Sequence, residues 1–238
     1  MNPLVTIVTA TTCTPLLRQN LNSVLAQTYP NIQHLVVVDG VHHYDKLDYD
    51  IAAETIILPY ATGTEQYNGH RIYGAATFLA RGDYIMYLDE DNWIDPNHVQ
   101  SLVDLATEKS DGFYCSLRKI TDMDGNFICN DDCESLGNWM SVINDYFIDV
   151  NCFFLPKKLA LKLTPIWYRR ARHPEDQPEV DRALTFVLRQ NKIPCYVTGE
   201  YTVNYRAGNR ADSVQAQFFL QGNKIMYEKY GGDFPWRK

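Results

Sequence analysis

Apolar and polar positions along the first half of the chain alternate between two patterns. "LVTIVTA" and "IQHLVVVDG" are short β-branched runs of the kind buried on both faces of a sheet. Between them, "TPLLRQNLNSVLAQTYP" places Leu17, Leu21, Val24 and Leu25 at helical spacing, with Thr14 as the expected N-cap, Pro15 at the first helical position and Pro30 closing the unit. A strand, a helix and a strand in that order predict parallel pairing. The pattern repeats. "ETIILP" reads as a third strand, "YGAATFLARG" as the later part of a helix ending at Gly82, and "DYIMYL" as a fourth strand. Asp95 and Pro96 then read as the N-cap and first turn of "NHVQSLVDLATEK", with Val99, Leu102, Val103 and Ala106 on its apolar face.

The second half is less regular. "DGFYCSLRKI" and "GNFICN" flank the turn signal "DMDG", and "DVNCFFLP" is a further strand. "PEVDRALTFVLRQN" reads as a helix begun by Pro178, with Val180, Leu184, Val187 and Leu188 on one side. Strand-like "CYVTGEYTVNYR" and a helix from Asp212 to about Tyr230 complete the chain. The fold class is α/β: an open, mostly parallel sheet flanked by helices, with a smaller mixed-sheet region. With no internal repeat or linker, one domain over 1–238 is expected, divided into a ligand-binding half (1–110) and a partner-binding half (111–238).

Composition narrows the options. A chain of 238 residues with 45% apolar content can bury a substantial core. The formal charge of −7, with signs interspersed, argues against a general nucleic-acid or anionic-membrane binder, so an anionic ligand must be held by local features. No run of about 18 apolar residues occurs, and "MNPLVTIVTATT" lacks the features of a signal peptide. A soluble cytoplasmic protein is expected, with peripheral membrane attachment left open. The six cysteines have no paired CxxC spacing and are expected as free thiols; Cys129 and Cys133 in "ICNDDCE" lack the partners that would complete a metal site.

Open α/β sheets bind ligands beyond the carboxyl ends of their strands. Two acidic features fall there. Asp39 ends "HLVVVDG", where a carboxylate can accept from ribose hydroxyls or a base N–H, or simply shape the turn before Gly40. In "YIMYLDEDNWIDP", Asp89 and Asp91 are alternate residues whose carboxylates point the same way in an extended stretch, with Glu90 opposite. Two hard oxygen ligands suit Mg²⁺ or Mn²⁺ shared with a phosphate, although an acidic loop opening the next helix is an equally simple reading.

"VTIVTATT" followed by "LRQNLNSVLAQTYPNIQHLVVVDG", and then "ARGDYIMYLDEDNWIDPNHVQSL", resemble the family 2 glycosyltransferases with a GT-A fold, over most of residues 4–105. The resemblance implies a metal-dependent, inverting transfer of a sugar from a nucleotide-diphosphate donor, of the UDP-sugar type, to a saccharide, lipid-linked or protein acceptor. It places Thr9, Ala10 and Thr11 against the nucleotide, Asp39 on its base or ribose, and Asp89 and Asp91 on an Mn²⁺ or Mg²⁺ ion carried by the diphosphate, beside Glu90. The family's upstream Arg-Asn pair is replaced by "YNGHRIYGAATFLARG", leaving Arg71, with His70, as the candidate for the diphosphate or base. In the family an acidic motif opens a later helix and supplies the base. That implies Asp181 in "EVDRAL", with Glu179 and Asp176 as alternatives, since Val180 interrupts the usual adjacent Glu-Asp.

Weaker features are the "WYRRARHP" cluster of Arg169, Arg170 and Arg172, Arg206 and Arg210 in "VNYRAGNR", and Trp93, which either stacks on a sugar or covers a helix start. Two other classes compete. A sugar-nucleotide nucleotidyltransferase needs a Gly-rich phosphate loop, and "TATTCTPLLRQN" has no glycine. A nucleotide-binding module without activity is compatible with the interrupted acidic motif.

Overall fold

The computed structural model describes residues 2–64, 67–137, 139, 147–168, 180–209 and 213–237. Four parallel strands carry the first half: β1 (Val5–Thr11), β2 (Ile32–Val38), β3 (Glu54–Ile57) and β4 (Tyr84–Tyr87), in the order β3-β2-β1-β4. β5 (Trp93–Ile94), β6 (Phe113–Thr121), β7 (Phe127–Asn130), β8 (Phe153–Pro156) and β9 (Cys195–Arg206) extend the sheet. β8 joins β4 and β6 antiparallel, β9 runs parallel to β6, β5 pairs antiparallel with β9, and β7 hangs from β6. The α/β class and parallel first half are as expected; the complete sheet is mixed. The two-residue β5 carries no periodicity and was not foreseen.

The helices are α1 (Leu17–Leu25), α2 (Val41–Tyr44), α3 (His70–Leu79), α4 (His98–Glu108), α5 (Lys157–Leu163), α6 (Val180–Gln190) and α7 (Ala216–Tyr230). β1 is buried at every position but Ala10, as a strand covered on both faces requires. Leu17, Leu21 and Val24 bury one face of α1, while Leu25 stays largely exposed, at the edge of the stripe. All four expected apolar positions of α4 are buried. Burying each such Val or Leu is worth about 1.5–3 kcal/mol.

Two expected helix starts are corrected. Thr14 is not the N-cap of α1: the chain first makes a turn, Leu17 N–H donating to the Thr14 carbonyl (3.1 Å), and α1 begins at Leu17. Asp95 does not cap α4, which begins at His98. Gln27, just beyond α1, takes that place: its Oε1 accepts the Val99 N–H (3.0 Å) and its Nε2 donates to the Asp95 carbonyl (2.7 Å). This satisfies one of the orphan donors of the α4 N-terminus and leaves the Asp95 carboxylate to pair with Lys119 and Asn204. α7 starts at Ala216, later than expected. Among the described residues all six cysteines are free thiols, and no helix is long and apolar enough to cross a membrane.

Candidate active site

A cleft of about 610 Å³ opens beyond the carboxyl ends of β1, β2 and β4. Asp39 lies at one end, the 89–92 turn in the middle, and Arg118, Glu134, Phe147, Asp149 and Val180 at the other.

At the first end, Asp39 is buried, and its carboxylate accepts the Thr62 N–H (2.6 Å), the Thr62 hydroxyl (2.8 Å) and the Gly63 N–H (2.8 Å). The loop after β3 is thereby clamped to the end of β2. Gly63 is required: a Cβ there would sit 2.5 Å from the Asn68 carbonyl and 2.8 Å from Asp39 Oδ2. His43 and His70 line this end with it. Burial pushes His70 down to about 4, so it is neutral at pH 7, and burial likewise lowers His43.

Arg71 does not line the cleft. Its guanidinium stacks 3.4 Å from the Tyr67 ring centroid and donates to the Thr62 carbonyl (3.0 Å), bracing the loop from behind. Thr9 is also turned inward, its hydroxyl against His34 Nε2 (3.0 Å) and Asn20 (3.4 Å), whereas Ala10 and Thr11 line the cleft. Thr9 and Thr11 share a face of β1 by alternation; Thr11 reaches the cleft because it is the last residue of the strand.

The acidic triplet is not extended. Asn92 N–H donates to the Asp89 carbonyl (3.0 Å), closing a turn, so the expectation that Asp89 and Asp91 point the same way by strand alternation is corrected. All three residues line the cleft, but their carboxylates meet different partners. Asp89 accepts the Tyr73 hydroxyl on Oδ1 (2.6 Å) and the Asn151 amide on Oδ2 (3.0 Å), while its N–H donates to Asn151 Oδ1 (2.7 Å). Burial, reinforced by Asp89, holds the Tyr73 phenol well above its ordinary range, so it remains a donor. Glu90 turns back to the β1–α1 connection, accepting the hydroxyls of Thr11 (2.5 Å) and Thr12 (2.9 Å) and the N–H groups of Thr12 (3.2 Å) and Thr14 (3.1 Å). Asp91 faces Asn209, whose amide donates to its carboxylate.

Arg206 is buried beneath this turn. It donates to the Asp91 carbonyl, the Met123 carbonyl (3.1 Å) and Gln19 Oε1 (2.6 Å), and lies 4.8 Å from the Trp93 ring centroid. Its guanidinium therefore supports the acidic turn, and Trp93 covers it.

The far end was not foreseen. Arg118 is 2% exposed and donates to Asp131 (Nε, 2.8 Å), Glu134 (Nη2) and Asp149 (Nη1). Its guanidinium lies 4.4 Å from the Tyr205 ring centroid. Desolvation pushes Glu134 up to about 7 against the opposing pull of Arg118. A basic residue in an apolar strand, followed by a segment as acidic as "NDDCE", was the available signal. Glu179, Asp176, Arg169, Arg170, Arg172, Arg210, Pro178 and Asp212 lie outside the described residues; Asp181 is the second residue of α6, with its side chain likewise outside.

The sequence matches the glycosyl transferase family 2 over residues 6–130, and the chain belongs to that family. Crystal structures of S. aureus TarS are similar in fold across 96% of this chain at 14% identity. The TM-score is 0.59 for TarS, 0.60 for its residues 1–349 in complex with UDP-GlcNAc and 0.59 for that fragment with UDP. This chain spans 40% of the longer TarS chain, and 67% and 66% of the two ligand-bound fragments. No curated protein matches the sequence.

Proposed function

We propose that the chain is a nucleotide-sugar-dependent glycosyltransferase that takes a UDP-sugar in the cleft and transfers the sugar with inversion to a saccharide, lipid-linked or protein acceptor. One observation carries this reading: Asp39 and the Asp89–Asp91 turn border a single cleft at the carboxyl ends of parallel strands in a family 2 chain. The TarS complexes with UDP-GlcNAc and UDP support the choice of nucleotide.

In this reading Asp39, Ala10 and Thr11 flank the nucleoside, and neutral His70 and His43 lie beside them. Glu90 and Arg206 act indirectly, by fixing the turn that carries Asp91. A divalent cation fits the donor set. Among the described residues no three His, Cys, Asp or Glu side chains converge as a metal site, whereas Mg²⁺-type ions commonly take one or two carboxylates and fill the rest of the shell from phosphate and water. Asp91 would hold the ion, with Asp89 beside it; when bound, the ion would stabilise charge developing on the diphosphate leaving group. Asp181 accepts the acceptor hydroxyl proton, with Glu179 as the alternative; such a base contributes about 10²–10⁴ in rate. The test is UDP release from UDP-GlcNAc and other UDP-sugars with Mn²⁺. Asp181→Asn should retain UDP binding and lose turnover; unchanged turnover moves the base elsewhere.

A further inference from the structure

Three carboxylates surround Arg118, and two of them are already committed to their own backbone. Asp131 accepts the N–H groups of Cys133 (3.1 Å), Glu134 (2.8 Å) and Ser135 (3.0 Å). Asp149 accepts the Asn151 N–H (3.0 Å) and side-chain amide (2.8 Å). Glu134 differs. One of its oxygens meets Arg118, and the other meets Arg182 of α6 at 3.3 Å. Arg182 also lies 4.1 Å from the Phe147 ring centroid, and Thr185, one turn on, accepts the Ile148 N–H (3.0 Å).

The start of α6 is therefore joined to the cleft wall by a charged contact and a hydrogen bond, in a buried setting where charge-assisted bonds are strong. Val180, the first residue of α6, lines the same cleft as Glu134 and Asp91. The same network continues toward the donor end, through Asp149 and Asn151 to Asp89.

We propose that Glu134 is a positioning residue for sugar transfer: through Arg182 it fixes the first turn of α6, and with it the placement of Asp181 against the donor. The inference rests on the glycosyltransferase reading. Misplacing a catalytic group by about 1 Å costs on the order of 100-fold in rate, so a contact that touches neither donor nor acceptor can still govern turnover.

The experiment compares wild type with Glu134→Gln, Arg182→Met and the double variant. Three quantities are read: turnover as UDP release from UDP-GlcNAc with Mn²⁺, UDP affinity by calorimetry, and amide hydrogen exchange of α6. Each single variant should lower turnover by about 10- to 100-fold and speed exchange in α6. UDP affinity should stay within about twofold, because the hydrogen bonds of Glu134 run to Arg118, Arg182 and Asp131 and not to Ala10, Thr11 or Asp39. The double variant should lose much less than the product of the single losses, since both singles remove the same Glu134–Arg182 contact. Turnover within about twofold of wild type in Glu134→Gln, multiplying losses in the double variant, or UDP affinity falling in step with turnover would each overturn the proposal. If the wild type consumes no donor, the functional reading fails on its own, and α6 exchange in Glu134→Gln still decides whether Glu134 holds the helix: faster exchange supports it and unchanged exchange overturns it.

Discussion

Asn151 grips Asp89 from two sides, accepting its N–H at 2.7 Å and donating to its carboxylate at 3.0 Å, while the same amide donates to Asp149 at 2.8 Å. Asn151 is fully buried, and its three side-chain hydrogen bonds join the start of the acidic turn to the Arg118 cluster. Asn151→Ala leaves the Asp89 N–H without this acceptor. A buried unsatisfied group costs about 1–3 kcal/mol, so urea denaturation should show a loss of that size, together with at least about tenfold slower UDP release. Wild-type stability would show that Asn151 does not hold the turn.

Asp91 and Asp89 should separate on substitution. Arg206 holds the Asp91 backbone carbonyl, and the Asp91 side chain is only half-buried, so Asp91→Asn should keep the fold and its melting temperature. Calorimetry should find that Mn²⁺ no longer strengthens UDP binding to this variant. Retained enhancement would remove Asp91 from the metal assignment.

Asp39 holds the 62–64 loop with three hydrogen bonds. Hydrogen bonds to charged groups are worth about 1.5–3 kcal/mol each. Asp39→Ala should therefore weaken UDP binding by at least about tenfold through the loss of a nucleotide contact and of the loop's anchor. Asp39→Asn, which keeps one acceptor oxygen, should fall between it and wild type.

Glu134 predicts a pH signature in stability. Burial raises its carboxyl from 4.5 to about 7, so the folded chain keeps a proton that the unfolded chain releases. The associated stability is fully present below about 4.5 and is lost as pH rises through about 7. Glu134→Gln has no proton to lose, so relative to wild type it should gain stability between pH 4.5 and pH 7. Parallel pH profiles in urea denaturation would contradict the shift.

Much of the first half was legible because β-branched runs and 3.6-residue spacing are local signals. β1 to β4, α1 and α4, and the strand-end positions of Asp39 and Asp89 followed from them. What escaped was set by long-range partners. The α4 start is fixed by Gln27, 72 residues away from Val99 in sequence. The direction of Glu90 is set by the 11–14 turn, and Arg118 finds its three carboxylates on segments that carry no periodicity. "ICNDDCE" read as free thiols with acids between them; its acids proved to be counter-charges, Asp131 and Glu134 for Arg118 and Asp132 for Arg237.

The central claim is that this cleft binds and spends a nucleotide sugar. The most direct measurement is UDP release from a panel of nucleotide sugars, with Mn²⁺ and with chelator, in wild type and Asp91→Asn. The account predicts Mn²⁺-dependent UDP release from at least one UDP-sugar, abolished in Asp91→Asn while the fold persists. No release from any UDP-sugar, together with no Mn²⁺-dependent UDP binding, would contradict it.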